Sequence, residues 1–340
     1  MIREETVFGP IFSRRLGSSL GINLLPEKGK ICNFDCIYCE CGWNRDGRND
    51  TVLPTAEKVR TDLERKLLEI KNLKLKIKNS ADASHNSQLT KVDSITFSGD
   101  GEPTLNPEFP QIIDDTLRLR DQYYPQAKVS VLSNATRVHI PEIFNALCRV
   151  DNPIMKIDAP TNELVEKINM PAPGYDIARV IEALKQFEGN FVLQTCMLRT
   201  PSPLRGTPPK QGESRGVSCG DSHFEGESRG VSCGDSHFEG ESRGVSCVDS
   251  HFEGESRGVS CGDSHFEGKI FEFDSSAPEV ILPMMDIVRL LKPREWMVYT
   301  IDRATPMLGL EKFSPQEMKA LVQPIIDEGI TKVQIKGGGN

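Results

Sequence analysis

The sequence predicts an α/β fold in which six strand–helix units form a parallel sheet, curved into a barrel or an open partial barrel. Short apolar segments of strand length alternate with segments whose apolar residues recur at helical spacing. Unusual polar residues follow the ends of the predicted strands, where parallel α/β folds build their sites. Near-identical repeats at residues 212–267 interrupt the alternation once, before the sixth strand.

Six segments are predicted to be strands because each is short, apolar and of strand length. In chain order they are residues 19–25, 94–98, 128–132, 153–157, 191–198 and 296–301. Their order along the chain, with a helix after each, indicates parallel neighbours joined by crossover helices.

The helices are predicted from apolar residues at helical spacing. The first is expected to begin after Thr55 and end near Ile70, and residues 71–93 are expected to be a polar surface loop. Four later helices are expected around residues 109–117, 141–147, 177–187 and 284–291. Ser314, Pro315 and Glu317 have the capping-box pattern that begins a last helix.

Three cysteines lie in the loop after the first predicted strand. Cys32, Cys36 and Cys39 have the spacing Cys-x3-Cys-x2-Cys. Three thiolates from one loop can each bind one iron of a 4Fe–4S cluster, which leaves the fourth iron without a protein ligand. S-adenosylmethionine could fill that position through its amino and carboxylate groups, with Tyr38 against its adenine. The alternatives are a zinc knuckle that lacks one ligand, or two disulfides with a spare thiol.

The composition indicates a soluble globular protein. The chain has 340 residues, of which 37% are hydrophobic, enough for one large core or two domains. It contains no run of about 18 apolar residues and no apolar signal-peptide region after Met1, so a cytoplasmic location is expected. Ten cysteines in that compartment indicate metal ligands or free thiols rather than disulfides.

The repeats account for the net charge of −8. Each 14-residue unit, GESRGVSCGDSHFE, carries three acidic residues and one Arg, so the rest of the chain is neutral. With one Val and one Phe a unit cannot bury a core, and the segment 212–267 is expected to be disordered. It would divide the core into residues 1–211 and 268–340. The Cys-x3-His pair in each unit leaves a zinc clamp between two units as an alternative.

Polar residues follow the second, third and fourth predicted strands. Gly101 and Glu102 come after the second, where glycine allows close backbone approach and a carboxylate accepts from an ammonium. Ser133 and Asn134 follow the third strand, and Asp158 follows the fourth. Taken alone, the segment with Gly101 and Glu102 is better explained as an ordinary Gly-Pro turn, and the others are also explained as turn, helix-cap or strand-end residues. Because these strand ends meet at one edge of the sheet, together they favour a single site.

Four segments carry a resemblance to a known family. CNFDCIYC, SGDGEPTL, VLSNAT and KIDAPTNELVEKINMP occur in this order and spacing. The chain resembles a radical S-adenosylmethionine (radical SAM) enzyme, and is most similar to the tRNA wyosine-synthesis branch of these Fe–S oxidoreductases. The resemblance implies a partial (βα)6 barrel of the TIM type, a 4Fe–4S cluster, S-adenosylmethionine, and a reductant such as flavodoxin or ferredoxin. The low-complexity repeats would be an insert in that fold.

The resemblance also implies roles for individual residues. Cys32, Cys36 and Cys39 would be the cluster ligands, and Tyr38 would contact the adenine. The methionine amino group would be bound at Gly101 and Glu102. Ser133, Asn134 and Asp158 would lie near the ribose and the carboxylate. Cys41, Cys148 and Cys196 would be buried or incidental thiols.

One departure affects the substrate. Wyosine-forming enzymes are expected to have further cysteines ahead of this motif for a second cluster, and here no cysteine precedes Cys32. An RNA base is one candidate substrate, with Arg14, Arg15, Arg45 and Arg48 as a basic surface. A protein partner, activated or matured by the enzyme, is another. An iron–sulfur or zinc scaffold without catalysis leaves Glu102, Asn134 and Asp158 unexplained.

Overall fold

The computed structural model describes residues 5–13, 17–27, 29–45, 50–78, 91–201 and 272–337, without the side chains at 13 and 76–78. All of these belong to one compact unit, residues 1–206 and 271–340. The repeats at 212–267 lie outside the described residues, as do Arg14, Arg15 and Arg48. The proposed division at 211 and 268 therefore stays a prediction.

The described residues form one mixed sheet. Its strands are β1 Val7–Ser13, β2 Gly17–Ile22, β3 Ser94–Phe97, β4 Lys128–Ser133, β5 Asn152–Lys156, β6 Val192–Arg199, β7 Glu295–Thr300, β8 Glu311–Lys312 and β9 Lys332–Lys336. The order is β1-β2-β3-β4-β5-β6-β7-β9, with β8 on β6. From β2 to β9 all neighbours on this path are parallel, and β1 is antiparallel to β2. The sheet is open, as one of the two predicted forms requires.

The six predicted strands are β2 to β7, and three others were missed. β1 was missed because Gly9 and Pro10 interrupt the strand pattern in its sequence. The two residues are joined by a cis peptide bond, and the register between β1 and β2 shifts there. β8 is only two residues long. β9 adds a seventh parallel strand at the edge, where Val333 and Ile335 are only partly buried.

The described α-helices are α1 Ala56–Lys78, α2 Phe109–Tyr123, α3 Pro141–Arg149, α4 Asn162–Ile168, α5 Ile177–Lys185, α6 Pro278–Leu291 and α7 Pro315–Glu328. Six of these seven pack against one face of the sheet, while α4 packs beside Phe34, Ile37 and Tyr38. The prediction that α1 ends near Ile70 is wrong, because the helix continues to Lys78. Residues 71–75 of this extension are exposed and include Lys and Leu, which are good helix formers. The short helix α4 was missed; the Thr161 hydroxyl caps it by accepting from Leu164 N at 3.3 Å. None of the described helices is long and apolar enough to cross a membrane.

The two faces of the sheet differ in chemistry. The helix-covered face supplies large apolar side chains such as Leu20, Ile95 and Trp296 to the main core. On the opposite face, Ser19 and Thr96 hydroxyls lie 2.7 Å apart, and a small apolar cluster contains Ile154, Val192 and Met297. Because side chains alternate along a strand, polar residues on this second face continue towards the carboxyl ends of β5, β6 and β7.

The segments on either side of residues 202–271 are hydrogen-bonded to each other. Thr200 N donates to Phe273 O at 2.9 Å, and Phe273 N donates to the Thr200 hydroxyl at 2.8 Å. Ser275 N donates to Leu198 O at 3.1 Å. The end of β6 and the start of the segment before α6 are therefore joined as a short antiparallel pair.

The predicted capping box at α7 is confirmed and can be tested. The Ser314 hydroxyl accepts from Glu317 N at 3.2 Å, while the Glu317 carboxylate accepts from Ser314 N at 2.8 Å. We expect Ser314→Ala to lower the free energy of unfolding by about 1 kcal/mol in urea denaturation, because the Glu317 N–H loses its acceptor and the Glu317 carboxylate loses the hydroxyl that donates to it. Ser314→Thr retains the hydroxyl and should lose clearly less; an equal loss in both variants would refute the cap.

Candidate metal centre

The cysteine loop follows β2 at the carboxyl end of the parallel strands and leads to α1. Cys32, Cys36 and Cys39 are half-buried, and the six cysteines of the described residues are free thiols. Within the described part of the chain, no three His, Cys, Asp or Glu side chains converge to hold a single metal ion. A 4Fe–4S cluster makes a different demand, because each thiolate binds its own iron atom.

Three polar side chains fold this loop on itself. The buried Lys30 ammonium donates to Gly42 O at 2.6 Å and to the Asp35 carboxylate at 3.2 Å. Asp35 also accepts from Asn44 N at 2.8 Å. The Asn44 amide in turn donates to Cys32 O at 3.0 Å. Burial would lower the pKa of Lys30, but negative charge on Cys39 and Asp35 raises it, so the ammonium stays charged.

Backbone hydrogen bonds tie the loop to two neighbouring connections. On one side, Ile31 N donates to Asp100 O and Glu102 N donates to Ile31 O, both at 3.1 Å. On the other, Asp35 N donates to Asn169 O at 2.9 Å and Ile37 N to Ile168 O at 3.0 Å. The loop is thus held between the segment after β3 and the connection from α4 to α5.

Gly101 makes the first of these contacts possible. Its φ is +140°, and a Cβ there would lie 1.8 Å from Ile31 O. No other residue fits this close backbone approach without moving the cysteine loop. The structure therefore gives Gly101 a packing role, and its predicted contact with the methionine amino group stays a prediction.

Two asparagine amides approach two of the cysteine sulfurs. Asn134 Nδ2 lies 3.8 Å from Cys32 Sγ, and Asn169 Nδ2 donates to Cys36 Sγ at 3.3 Å. Burial and nearby negative charge raise the pKa of Cys32, and burial raises that of Cys36 to about 11. Amide donors favour a sulfur that carries negative charge, as it does when it binds a metal. Asn134 follows strand β4 and Asn169 follows helix α4.

Glu102 joins the segments after β3 and β4. Its buried carboxylate accepts from Thr104 N at 3.1 Å, Ser133 Oγ at 2.9 Å and Asn134 N at 2.7 Å. Burial raises the pKa of Glu102, although these donors oppose the shift. The predicted residues Glu102, Ser133 and Asn134 are therefore brought together, with Glu102 fixing the position of the other two.

Tyr38 and Asp158 also meet. The Tyr38 hydroxyl donates to Asp158, and Asn169 Nδ2 lies 2.8 Å from each of these two side chains. Cys196 N donates to the other Asp158 oxygen at 2.8 Å. Tyr38 is only 6% exposed, and burial together with Asp158 raises the pKa of its hydroxyl. Their predicted contacts with adenine and ribose stay predictions.

Sequence reasoning missed Asn169 as a member of this site. It is fully buried and contacts Cys36, Tyr38 and Asp158. It lies within the segment KINMP, but no strand end precedes it; the short helix α4 does. An asparagine before a Met-Pro pair is also typical of a helix end, so its position alone gave no chemical signal.

Comparison with known proteins decides the family. The profile described as the Radical SAM superfamily matches residues 27–199, which is half of the chain and includes all three cysteines. The chain belongs to the radical SAM superfamily. It is therefore an enzyme of a family that uses S-adenosylmethionine and an iron–sulfur cluster, as the sequence predicted.

The radical SAM chain is also similar to curated proteins. It is 28% identical over 203 residues to a protein named GTPase Obg from Brachyspira hyodysenteriae, covering 58% of this chain and 26% of that protein. It is 29% identical over 197 residues to a UPF0026 protein of Helicobacter pylori, covering 57% and 56%. The chain thus spans about half or less of the length of these two relatives.

Solved structures show the same fold. SuiB of Streptococcus suis, bound to S-adenosylmethionine, has a TM-score of 0.50 at 13% identity, covering 93% of this chain and 50% of that one. A radical SAM methyltransferase from Sphaerobacter thermophilus has a TM-score of 0.51 at 11% identity, covering 94% and 66%. At these identities the likeness shows the radical SAM fold alone.

Cys39 differs from the other two cysteines in its acidity. A hydrogen bond from the Cys41 thiol lowers the pKa of Cys39 below its usual range and raises that of Cys41. In iron-free, reduced protein, Cys39 should therefore carry the thiolate of this pair. We expect Cys41→Ala to raise its pKa towards the ordinary value and to slow its alkylation by iodoacetamide at pH 7 by ~10-fold or more.

Peptide mapping by mass spectrometry measures this rate at Cys39 across a pH series. Cys148→Ala is the matched control, because Cys148 is an exposed thiol on α3 and should leave the profile unchanged. An identical pH profile in the wild type and Cys41→Ala would contradict the thiol–thiolate contact.

Proposed function

We propose that Cys32, Cys36 and Cys39 hold a 4Fe–4S cluster and that the enzyme uses it to cleave S-adenosylmethionine reductively. The observation that carries this proposal is the approach of two amides to the cysteine sulfurs from separate connections, Asn134 after β4 and Asn169 after α4. Such donors to sulfur are among the protein features that set the properties of iron–sulfur clusters.

The residues present fit such a group. Three thiols come from one loop that Lys30, Asp35 and Asn44 already fold, so cluster binding needs little further ordering of the chain. The three thiolates leave one iron open for the cofactor. When bound, the cluster would pass one electron to S-adenosylmethionine, which splits into methionine and a 5′-deoxyadenosyl radical that abstracts hydrogen from a substrate.

The chain itself would orient the cofactor and exclude water. Apolar side chains of Phe34, Ile37 and Ile168 are buried beside the cysteines, which limits solvent at the site. Gly101, Glu102, Ser133, Asn134, Tyr38 and Asp158 are the proposed cofactor contacts. Because the Glu102 and Asp158 carboxylates already accept several hydrogen bonds, part of their proposed role is to hold Ser133, Asn134 and Tyr38 in place. A reductant such as flavodoxin or ferredoxin would supply the electron.

Cofactor cleavage gives a direct test. Anaerobically reconstituted protein with dithionite and S-adenosylmethionine should release 5′-deoxyadenosine, measured by liquid chromatography. Cys36→Ala should reduce the release at least ~100-fold, because one iron loses its ligand. Cys148→Ala, which removes a thiol outside the loop, should behave as the wild type. Equal release from wild type and Cys36→Ala would reject the function.

A second feature favours RNA as the substrate. A cleft of about 350 Å³ lies next to the cysteine loop and is lined by Asn33, Thr136, Arg137, Tyr175 and Arg179, among others. The Arg137 Nε is buried without a hydrogen-bond partner among the described residues. Two arginines beside an aromatic ring are suited to a phosphate and a stacked base. Of the basic residues predicted for RNA, Arg45 is exposed, 5.6 Å from the Trp43 ring.

We expect the double substitution Arg137→Gln and Arg179→Gln to weaken RNA binding at least ~10-fold. The slope of log affinity against log salt concentration should fall by about 1 for each phosphate that the variant no longer binds. Arg118→Gln with Arg289→Gln is the matched control, since both arginines pair with carboxylates on the outer helices. Fluorescence anisotropy with cellular tRNA measures both quantities. Copurification of one stoichiometric protein, without RNA binding, would support a protein substrate instead.

A further inference from the structure

Lys156, the last residue of β5, is a cation enclosed by aromatic rings. Its ammonium lies 4.8 Å from the ring centroid of Tyr38 and 4.9 Å from that of Tyr299, and it donates to the Tyr299 hydroxyl. Lys156 is in register with Gln194 of β6, on the sheet face opposite the helices. The proposed cluster ligation and cofactor contacts do not use this side chain.

The Lys156 side chain is partly buried, and removing part of a charged group from water costs free energy, which suggests that the charge has a use. Among the described residues, no carboxylate lies within ion-pair distance of the ammonium, and its partners are two rings and a hydroxyl. Burial would lower the pKa of Lys156, but Asp158 and Tyr299 nearby raise it, so the group is positive at neutral pH. A Lys held only for packing would be replaced at lower cost by an apolar residue of similar length.

The charge is close to one of the three cysteines. The Lys156 ammonium lies over the ring of Tyr38. Asn169 Nδ2 donates both to the Tyr38 hydroxyl, at 2.8 Å, and to Cys36 Sγ, at 3.3 Å. The positive charge of the ammonium therefore stabilises negative charge near Cys36.

We propose that Lys156 raises the reduction potential of the cluster, because it places a fixed positive charge near Cys36. This inference rests on the proposed function. Reduction adds one electron from the external reductant to the cluster, and no bond forms or breaks in that step. Because the reduced cluster is more negative by one charge, a nearby ammonium in a poorly solvated site stabilises it over the oxidised form.

The test measures the midpoint potential of the reconstituted cluster by electron paramagnetic resonance during a reductive titration, without S-adenosylmethionine. Lys156→Met should make reduction about 10-fold less favourable, which for one electron is ~59 mV towards more negative values. Lys156→Arg retains the charge and should remain within about threefold of the wild type. Lys128→Met is the matched control, since Lys128 is an exposed lysine at the amino end of β4, whereas the cysteine loop lies at the carboxyl ends of the strands.

Thermal unfolding of the iron-free protein shows whether Lys156→Met folds. If it does not, Lys156→Gln also removes the charge but can still donate a hydrogen bond to Tyr299. The same negative shift in Met and Gln, absent in Arg and in Lys128→Met, supports the inference. An unchanged midpoint potential in the neutral variants overturns the inference. It does so even if these variants bind S-adenosylmethionine more weakly, because the titration contains no S-adenosylmethionine. If the wild type assembles no 4Fe–4S cluster, the proposed function itself fails.

Discussion

The site depends on the backbone hydrogen bonds that hold the cysteine loop between two neighbouring connections. Ile31 pairs with the segment at Asp100 to Glu102, and Asp35 and Ile37 pair with the end of α4. The loop that carries the three thiols has no regular structure of its own, so its backbone groups need such partners. These bonds fix the positions of the thiols and bring the Asn134 and Asn169 amides to the sulfurs.

The same contacts join the polar residues of separate strands into one network. Glu102 connects the loop after β3 to Ser133 and Asn134 after β4, while Asn169 connects Cys36 to Tyr38 and Asp158. Buried polar groups are costly unless each has a partner, and here most of the named groups have several. Hydrogen bonds therefore hold the side chains around the cysteines in one arrangement, as the proposed orientation of a cofactor requires.

Much of this was readable from the sequence, for identifiable reasons. The spacing of Cys32, Cys36 and Cys39 is local, and the buried parallel strands β2 to β7 are short apolar segments. Asn169 and Lys156 carry no such pattern, because their roles come from contacts over long sequence distances, such as Asn169 with Cys36 and Lys156 with Tyr299. The edge strands β1 and β9 were missed because edge strands bury less apolar surface and tolerate Gly and Pro.

The pairing of Thr200 with Phe273 has a consequence for how this gene can change. For a flexible connection between two points that are bonded together, the cost of closure grows only with the logarithm of its length. Doubling that length costs about 0.6 kcal/mol. If the predicted disorder of residues 212–267 holds, gain or loss of one 14-residue repeat should change the free energy of unfolding by less than this.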